Sequence, residues 1–168
     1  MIPADRAQAQ RTERLISALG RETALLTELA EALARQRAAV ARNDVTALEA
    51  DVAVAGRVLL TLQEAHRLRG EILVAMGADR DHPLGHLAAT LPGSLGGRVE
   101  RSRAALAAAA AAATREATVN RSVLRSALDA GDAYLQALFT GGLPTPYTPG
   151  DGRPAPAGPA GVLVDKVA

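Results

Sequence analysis

The sequence predicts an all-α protein, in which an elongated antiparallel helical hairpin and a long third helix form a three-helix bundle or coiled coil. Hydrophobic residues make up 48% of the 168 residues, but aromatic residues only 2%. The abundant alanine, leucine, arginine and glutamate favour helices, whereas the aromatic side chains that dominate large cores are nearly absent. Apolar residues also recur at helical spacing, and proline and glycine cluster in two places.

The first predicted helix runs from about residue 5 to residue 42. Its apolar residues recur at steps of three, four and seven, which is the a and d spacing of a coiled coil. Glu22 and Gln36 occupy two positions of this register with polar side chains. The apolar positions are Leu15, Leu19, Leu26, Leu29, Leu33 and Val40.

A polar break at Asn43 and Asp44 separates the first helix from a second one, predicted over about residues 45–76. Asn43 and Asp44 can turn the chain or cap the next helix, and Thr46 and Glu49 have capping-box spacing. A short turn between two long apolar seams predicts an antiparallel hairpin. The second seam is Leu48, Val52, Ala55, Leu59, Leu62, His66, Leu73 and Met76.

Residues 77–97 contain two prolines and several glycines, and we predict a flexible loop with one helical turn near Leu87–Leu91. The third helix is predicted over about residues 98–140. Its first half contains the alanine run Ala107–Ala113, which buries little. Its second half contains larger apolar side chains and is the richest apolar patch of the chain: Val123, Leu124, Leu128, Tyr134, Leu135, Leu138 and Phe139.

Glycine and proline end the helical region, so that residues 1–140 form the predicted domain and residues 141–168 a flexible tail rich in proline, glycine and alanine. Gly141 and Gly142 end the last helix, and the prolines that follow prevent it from resuming. One of the two tyrosines, Tyr147, lies in this tail.

Composition argues against several classes of protein. There is no cysteine, so that disulfides and thiol chemistry are excluded. The first ten residues lack the layout of a signal peptide, and the longest apolar run is too short to span a bilayer. The formal net charge is only +1, which gives no general attraction for nucleic acid. We therefore expect a cytoplasmic protein that contacts neither nucleic acid nor, directly, a membrane.

Candidate catalytic and metal sites are weak. His82 and His86 have the spacing of a metal-binding pair, but Pro83 and Gly85 lie between them and a site needs three or four converging ligands. His66 falls on the second seam, where a hydrogen-bonded histidine is the simpler interpretation. No phosphate-binding loop or nucleophile motif is present. We expect no enzyme activity, metal, cofactor or small-molecule substrate.

The third helix is rich in arginine, with Arg98, Arg101, Arg103, Arg115, Arg121 and Arg125. A solvated helix face is the simpler interpretation, and a basic face for RNA or an acidic protein is the alternative. The arginine-rich part of the helix, residues 98–125, contains no aromatic residue for base stacking.

Two segments carry a resemblance to a known family. LLTELAEALARQRAAVARNDVTALEADVAVAGRVLLTLQEAHRLRGEIL has a polar break before a leucine-led second helix, and NRSVLRSALDAGDAYLQALF is followed by PYTPGDGR. In this order they resemble the FlgN family of flagellar export chaperones, over about residues 15–153.

The resemblance implies a chaperone without catalytic activity. It would bind the C-terminal segments of the two hook–filament junction (hook-associated) proteins in the cytoplasm and prevent their premature association. It would then deliver them to the export gate of the flagellar type III system. The resemblance assigns cargo binding to the last helix, at Asn120, Val123, Leu124, Leu128, Leu135, Leu138 and Phe139. It assigns docking on the cytoplasmic domain of the gate to Tyr147, with Gly152.

The residues themselves are compatible with this function. Apolar anchors at helical spacing suit helix-in-groove binding of a partner's amphipathic helix, although the same strip can instead close the bundle's own core. A tyrosine in a flexible tail offers a large contact with few rotamers to restrict. The alternative function is a structural coiled-coil or phasin-like granule-coating protein. The oligomeric state and the preferred junction protein stay open.

Overall fold

The structure is a computed structural model that describes residues 3–140, and the side chains of residues 6–139. Four helices account for most of these residues: α1 (Pro3–Ala41), α2 (Val45–Ala75), α3 (Leu84–Thr90) and α4 (Ser94–Thr140). Residues 3–140 contain no strand. The prediction of an all-α protein is therefore confirmed.

The chain divides into two compact units after Ala130. The first contains α1, α2, α3 and most of α4. In the second unit, the structure describes the end of α4, Gly131–Thr140. The predicted tail, residues 141–168, lies outside the described residues, and its flexibility stays a prediction.

Two consecutive caps join α1 to α2. Asn43 has a left-handed backbone, with φ 53°. The amides of Asn43 and Asp44 donate to the carbonyls of Val40 and Ala39 at 3.0 and 2.9 Å, which is a Schellman ending with asparagine in place of glycine. The Asp44 carboxylate then accepts a hydrogen bond of 3.0 Å from an amide in the first turn of α2. The break predicted at these two residues is confirmed, and Asp44, rather than Thr46, is the N-cap.

The contacts between α1 and α2 establish the antiparallel hairpin. Asp51, near the start of α2, pairs with Arg35 near the end of α1 at 2.7 Å. Arg69, near the end of α2, pairs with Glu22 at 2.9 Å. The reversed order of these pairs fixes the antiparallel direction.

The segment between α2 and α4 is more ordered than the loop predicted over residues 77–97. α2 ends in a Schellman motif at Gly77, whose φ is 84°. The short helix α3 follows, and α4 begins at Ser94 instead of about residue 98. The prolines and glycines of this segment predicted a loop. The segment instead packs over the end of the bundle, because three leucines spaced by three and four residues are buried there. These are Leu84, Leu87 and Leu91, buried against Leu15, Leu19, Leu73 and Val99.

α4 runs parallel to α1. Arg98, in the first turns of α4, pairs with Glu13, and Glu116 pairs with Arg37 at 2.5 Å. The order is the same on both helices, so that α4 is antiparallel to α2. A second buried cluster joins the three long helices further along: Leu29 and Ala32 of α1, Ala55 and Val58 of α2, and Ala113 of α4.

Candidate functional site

A buried polar layer links α1, α2 and α4 one turn before the hairpin ends. The side-chain amide of Asn120 donates to the side-chain carbonyl of Gln36 at 2.7 Å. The amide of Gln36 donates in turn to the backbone carbonyl of Asp51 at 3.2 Å. Within the described part of the chain, the side-chain oxygen of Asn120 has no hydrogen-bond partner. Buried amides tolerate few arrangements, so that this layer favours one register of the three helices.

Beyond the polar layer, an open apolar groove of about 380 Å³ lies between α4 and the hairpin turn. We name it the hairpin-end groove. Leu124, Ala127 and Leu128 form its α4 wall. The opposite wall comes from the end of α1 and the start of α2, and is formed by Ala39, Val40, Asn43, Asp44, Val45 and Leu48. The groove exists because α4 continues past the turn, where the first two helices no longer cover its apolar face.

Leu128 shows how open this groove is, since 69% of the residue is exposed. Val45, on the opposite wall, is also exposed, whereas Leu124 and Leu48 are half-buried. Exposed contiguous apolar surface rimmed by polar residues is typical of a protein-binding site. The groove contains no acid, base and nucleophile in a catalytic arrangement, and its lining suits an apolar side-chain surface.

The second unit, taken by itself, exposes several large apolar side chains. Tyr134, Leu135 and Leu138 are each about half exposed, and Phe139 is 88% exposed. Phe139 is the only phenylalanine of the chain. Such side chains on a solvated helix are unusual for a monomeric protein and indicate a surface for a partner.

The predicted cargo-binding residues therefore occupy different environments. Asn120 is buried, with 3% exposed, and its amide is bonded within the bundle. Val123 and Leu124 are half-buried, whereas Leu128, Leu135, Leu138 and Phe139 are exposed. The two residues predicted to dock on the gate, Tyr147 and Gly152, lie outside the described residues.

A second groove, which we name the middle groove, opens between α2 and α4 at the alanine run and measures about 370 Å³. Glu22 and Leu26 of α1 line it. α2 contributes Leu62, Gln63 and His66, and α4 contributes Leu106 and Ala110. Because the side chains of the alanine run are small, Leu26 of α1 and Leu62 of α2 are only half-buried there.

Glu22 is an ionisable group that the sequence marked only as a polar position in a seam. It is buried and pairs with Arg69 at 2.9 Å. Burial raises the pKa of the Glu22 carboxyl, and the nearby charges of Arg69 and His66 offset only part of this. The sequence signal for a buried carboxylate was the position of Glu22 in an apolar register. Its partner, Arg69, could not be identified from the sequence, because this requires knowing how α1 and α2 pair.

The predicted seam of α2 is only partly buried. Ala55 and Leu73 of this seam are buried, together with Val58 and Ala65, which the prediction did not include. Val52 and Leu59 are 53% and 47% exposed. The prediction that both lie in the seam of the hairpin is wrong, because the other helices leave about half of each residue exposed.

The histidines and arginines form no catalytic constellation in the described residues. The rings of His82 and His86 lie edge to face with centroids 6.5 Å apart, and residues 3–140 contain no group of three potential metal ligands. His66 is exposed and contacts Arg69, with 2.7 Å between Nδ1 and Nη2. On α4, Arg98 and Arg103 form ion pairs with Glu13 and Glu100, and the remaining arginines are exposed.

Comparison with protein families decides the relationship. The model of the FlgN protein family matches residues 1–152. The chain belongs to the FlgN family. The resemblance found in the sequence is therefore confirmed. Neither a curated protein nor a solved structure matches the chain at a significant level.

FlgN proteins are flagellar export chaperones, and this chain is accordingly a chaperone that binds flagellar export substrates. Its helical bundle with exposed apolar grooves is consistent with this activity. Within residues 3–140, no helix combines the length and the apolar character that a membrane span requires.

Proposed function

We propose that this FlgN-family chaperone binds the C-terminal helices of the hook–filament junction proteins in the cytoplasm. It keeps these segments from assembling early and delivers them to the cytoplasmic domain of the export gate. It acts by binding alone, without catalysis, a cofactor or nucleic acid.

The exposed apolar surface of α4 is the observation that carries the proposal. In the first unit, Leu124 and Leu128 form one wall of the hairpin-end groove. In the second unit, Leu135, Leu138 and Phe139 are exposed on the last turns of α4. Amphipathic cargo segments that pack on either surface would bury its side chains, and each large apolar group buried in this way is worth about 1.5–3 kcal/mol at most.

Asn120 has a positioning role in this proposal. Its amide is bonded to Gln36, and its oxygen has no partner among residues 3–140. Because Asn120 is buried, it contributes in this proposal by holding α4 on the hairpin, which positions the apolar side chains that follow it.

The tail supplies a second contact in this proposal. Tyr147, with Gly152, docks on the gate while the helices hold the cargo. Separate sites for cargo and gate let one chaperone carry its substrate to the export machinery and release it there.

The first experiment is an isothermal titration of the intact chain with the C-terminal segment of a junction protein. The test variant carries Leu128→Asp and Leu135→Asp. Leu60→Asp is a matched control, because Leu60 of α2 is 68% exposed and Leu128 69%. We expect the double variant to bind at least about tenfold more weakly than the intact chain, while the control binds within about twofold of it.

Absence of binding by the intact, folded chain would overturn the assignment of the junction proteins as cargo and leave other flagellar export substrates as the candidates. Equal weakening by Leu60→Asp would remove the assignment of cargo to α4, since any new surface charge would then have the same effect.

A further inference from the structure

α2 has apolar residues at heptad spacing that its packing in the hairpin leaves exposed. Val45, Val52 and Leu59 recur every seven residues, and all three are exposed or half-exposed. Leu48 and Leu62 lie at the intervening d-type positions and are half-buried. We name these five residues the α2 seam. This set is the exposed or half-buried part of the predicted second seam over residues 45–62, with Val45 added. A heptad repeat with a and d apolar is the pattern by which one helix packs along another.

The hairpin-end groove and the middle groove lie at the two ends of this seam. Both are lined by α1, α2 and α4, with Val45 and Leu48 in the first and Leu62 in the second. From Val45 to His66, α2 rises about 32 Å at 1.5 Å per residue. The surface between the two grooves therefore matches a helix of about 20 residues.

The opposite wall has the small side chains that close packing requires. Ala110 of α4 lines the middle groove, and Ala113 lies in the buried cluster with Ala55 and Val58. Small residues allow a further helix to approach more closely than leucines would. The same alanines leave little to cover the α2 seam from the α4 side, which explains why Val52 and Leu59 are exposed.

We propose that one amphipathic helix of the cargo protein lies along the α2 seam, from the hairpin-end groove to the middle groove, and completes a four-helix bundle. This inference rests on the proposed chaperone function and adds α2 as half of the binding surface. The apolar face of the cargo helix covers Val52 and Leu59, and the cargo helix is about 20 residues long.

Charges on the two walls specify the flanks of this helix. Arg121 lies one turn before Leu124 and two turns before Leu128, on the groove side of α4. Glu49 lies one turn from both Val45 and Val52. Both are exposed, and neither has an ion-pair partner among the described residues. The cargo helix therefore presents acidic residues toward α4 and basic residues toward α2.

A second copy of this chain is a poorer occupant. In an antiparallel pairing of two α2 helices about the centre of the seam, Glu49 would face Gln63, and Gly56 would face its equivalent. Neither pairing is complementary in charge, and neither gives Arg121 an acidic partner.

The experiment uses single cysteines labelled with bimane, which the chain permits because it has no cysteine of its own. One label replaces Val52 and another replaces Leu60, which is exposed on α2 outside the seam. Each labelled chain is titrated with the C-terminal segment of a hook–filament junction protein. We expect the Val52 label to lose iodide quenching and shift its emission to shorter wavelength, while the Leu60 label does neither.

Charge reversals test the flanks of the cargo helix. We expect Arg121→Glu to weaken binding of the same segment about two- to fivefold, as an exposed ion pair allows. Arg115→Glu is the control, because Arg115 is two residues from buried Ala113 and so points away from the bundle.

Two outcomes separate this inference from the proposed function. If the segment binds and the Val52 label stays accessible, cargo binds elsewhere and only the present inference is overturned. If the intact chain does not bind the segment at all, both are overturned. Shielding of the Val52 label by raising the concentration of the chain alone would identify a second copy as the occupant and would also overturn the inference.

Discussion

Asn120 is held inside the bundle by a hydrogen bond to Gln36, and Gln36 is bonded in turn to α2. Removing the Asn120 side chain leaves the carbonyl of Gln36 buried without its donor. We expect Asn120→Ala to lower the free energy of unfolding by about 1–3 kcal/mol, measured by urea denaturation.

Thr118→Ala is the control for this variant, because Thr118 is exposed and its hydroxyl bonds only to the Thr114 carbonyl of its own helix. Its expected effect is within about 0.5 kcal/mol. Equal stability of Asn120→Ala and the intact chain would show that the polar layer does not hold α4.

Glu22 makes stability depend on pH in an unusual direction for a carboxylate. Burial raises the pKa of Glu22, with Arg69 and His66 opposing the shift. The folded chain therefore holds this proton more tightly than the unfolded chain. The resulting stability is fully present below the unfolded pKa of about 4.3 and is lost as pH rises through the raised folded pKa.

Comparison with Glu22→Gln isolates this effect, because ion pairs that lower the pKa of Glu64 and Glu100 are present in both chains. We expect the free energy of unfolding of the intact chain to fall relative to the variant as pH rises from about 4 to 7. The measurement is urea denaturation at several pH values. A relative rise over that range would mean that Arg69 more than offsets the burial of Glu22.

At the scale of elements, the packing of α3 on the start of α4 depends on Gly96. A Cβ atom there would lie 2.4 Å from the carbonyl oxygen of Ala88, whereas a Cβ at Gly97 would meet only the end of Arg101, at 3.9 Å. We expect Gly96→Ala to lower the midpoint of thermal unfolding, at a cost of about 1–3 kcal/mol, since the backbone of α3 must move.

Gly97→Ala provides the matched control. It should be neutral or stabilising by up to about 1 kcal/mol, because alanine favours the helix and has room. Similar unfolding midpoints for the two variants would show that α3 does not pack firmly on α4.

The elements also differ in how far local sequence determines them. α1, α2 and the turn between them follow from heptad spacing and from Asn43 and Asp44, because capping is a local interaction. α3 does not, since its prolines and glycines indicate a loop. It forms because Leu84 and Leu87 are buried with Leu15 and Leu19 of α1, which are far away in sequence.

At the scale of the whole molecule, cargo binding and gate docking should be separable. In the proposed function, Tyr147 contacts the gate and the helical domain holds the cargo. We expect Tyr147→Ala to bind the junction-protein segment with unchanged affinity and to bind the cytoplasmic domain of the export gate at least about tenfold more weakly. Titration calorimetry with each partner measures both, and equal loss of the two affinities would contradict the division.

The candidate site was predictable in part. The apolar residues of α4 stand out in a chain with so few large side chains, and their exposure at Leu128 and Phe139 agrees with a surface for a partner. The burial of Asn120 and the exposure of Val52 were not predictable, because each depends on how the helices rotate about their axes. Seam patterns specify an apolar face but not which neighbour covers it.

The sequence by itself determined the helical class, the hairpin and the family, because helix propensity, heptad spacing and caps act over a few residues. Tertiary structure decided the rest. It made α4 parallel to α1, buried Glu22 against Arg69 and folded α3 over the end of the bundle. It also left the α2 seam open beside the alanine run. These features depend on contacts between residues distant in sequence, where the sizes of facing side chains determine which surfaces close and which stay available to a partner.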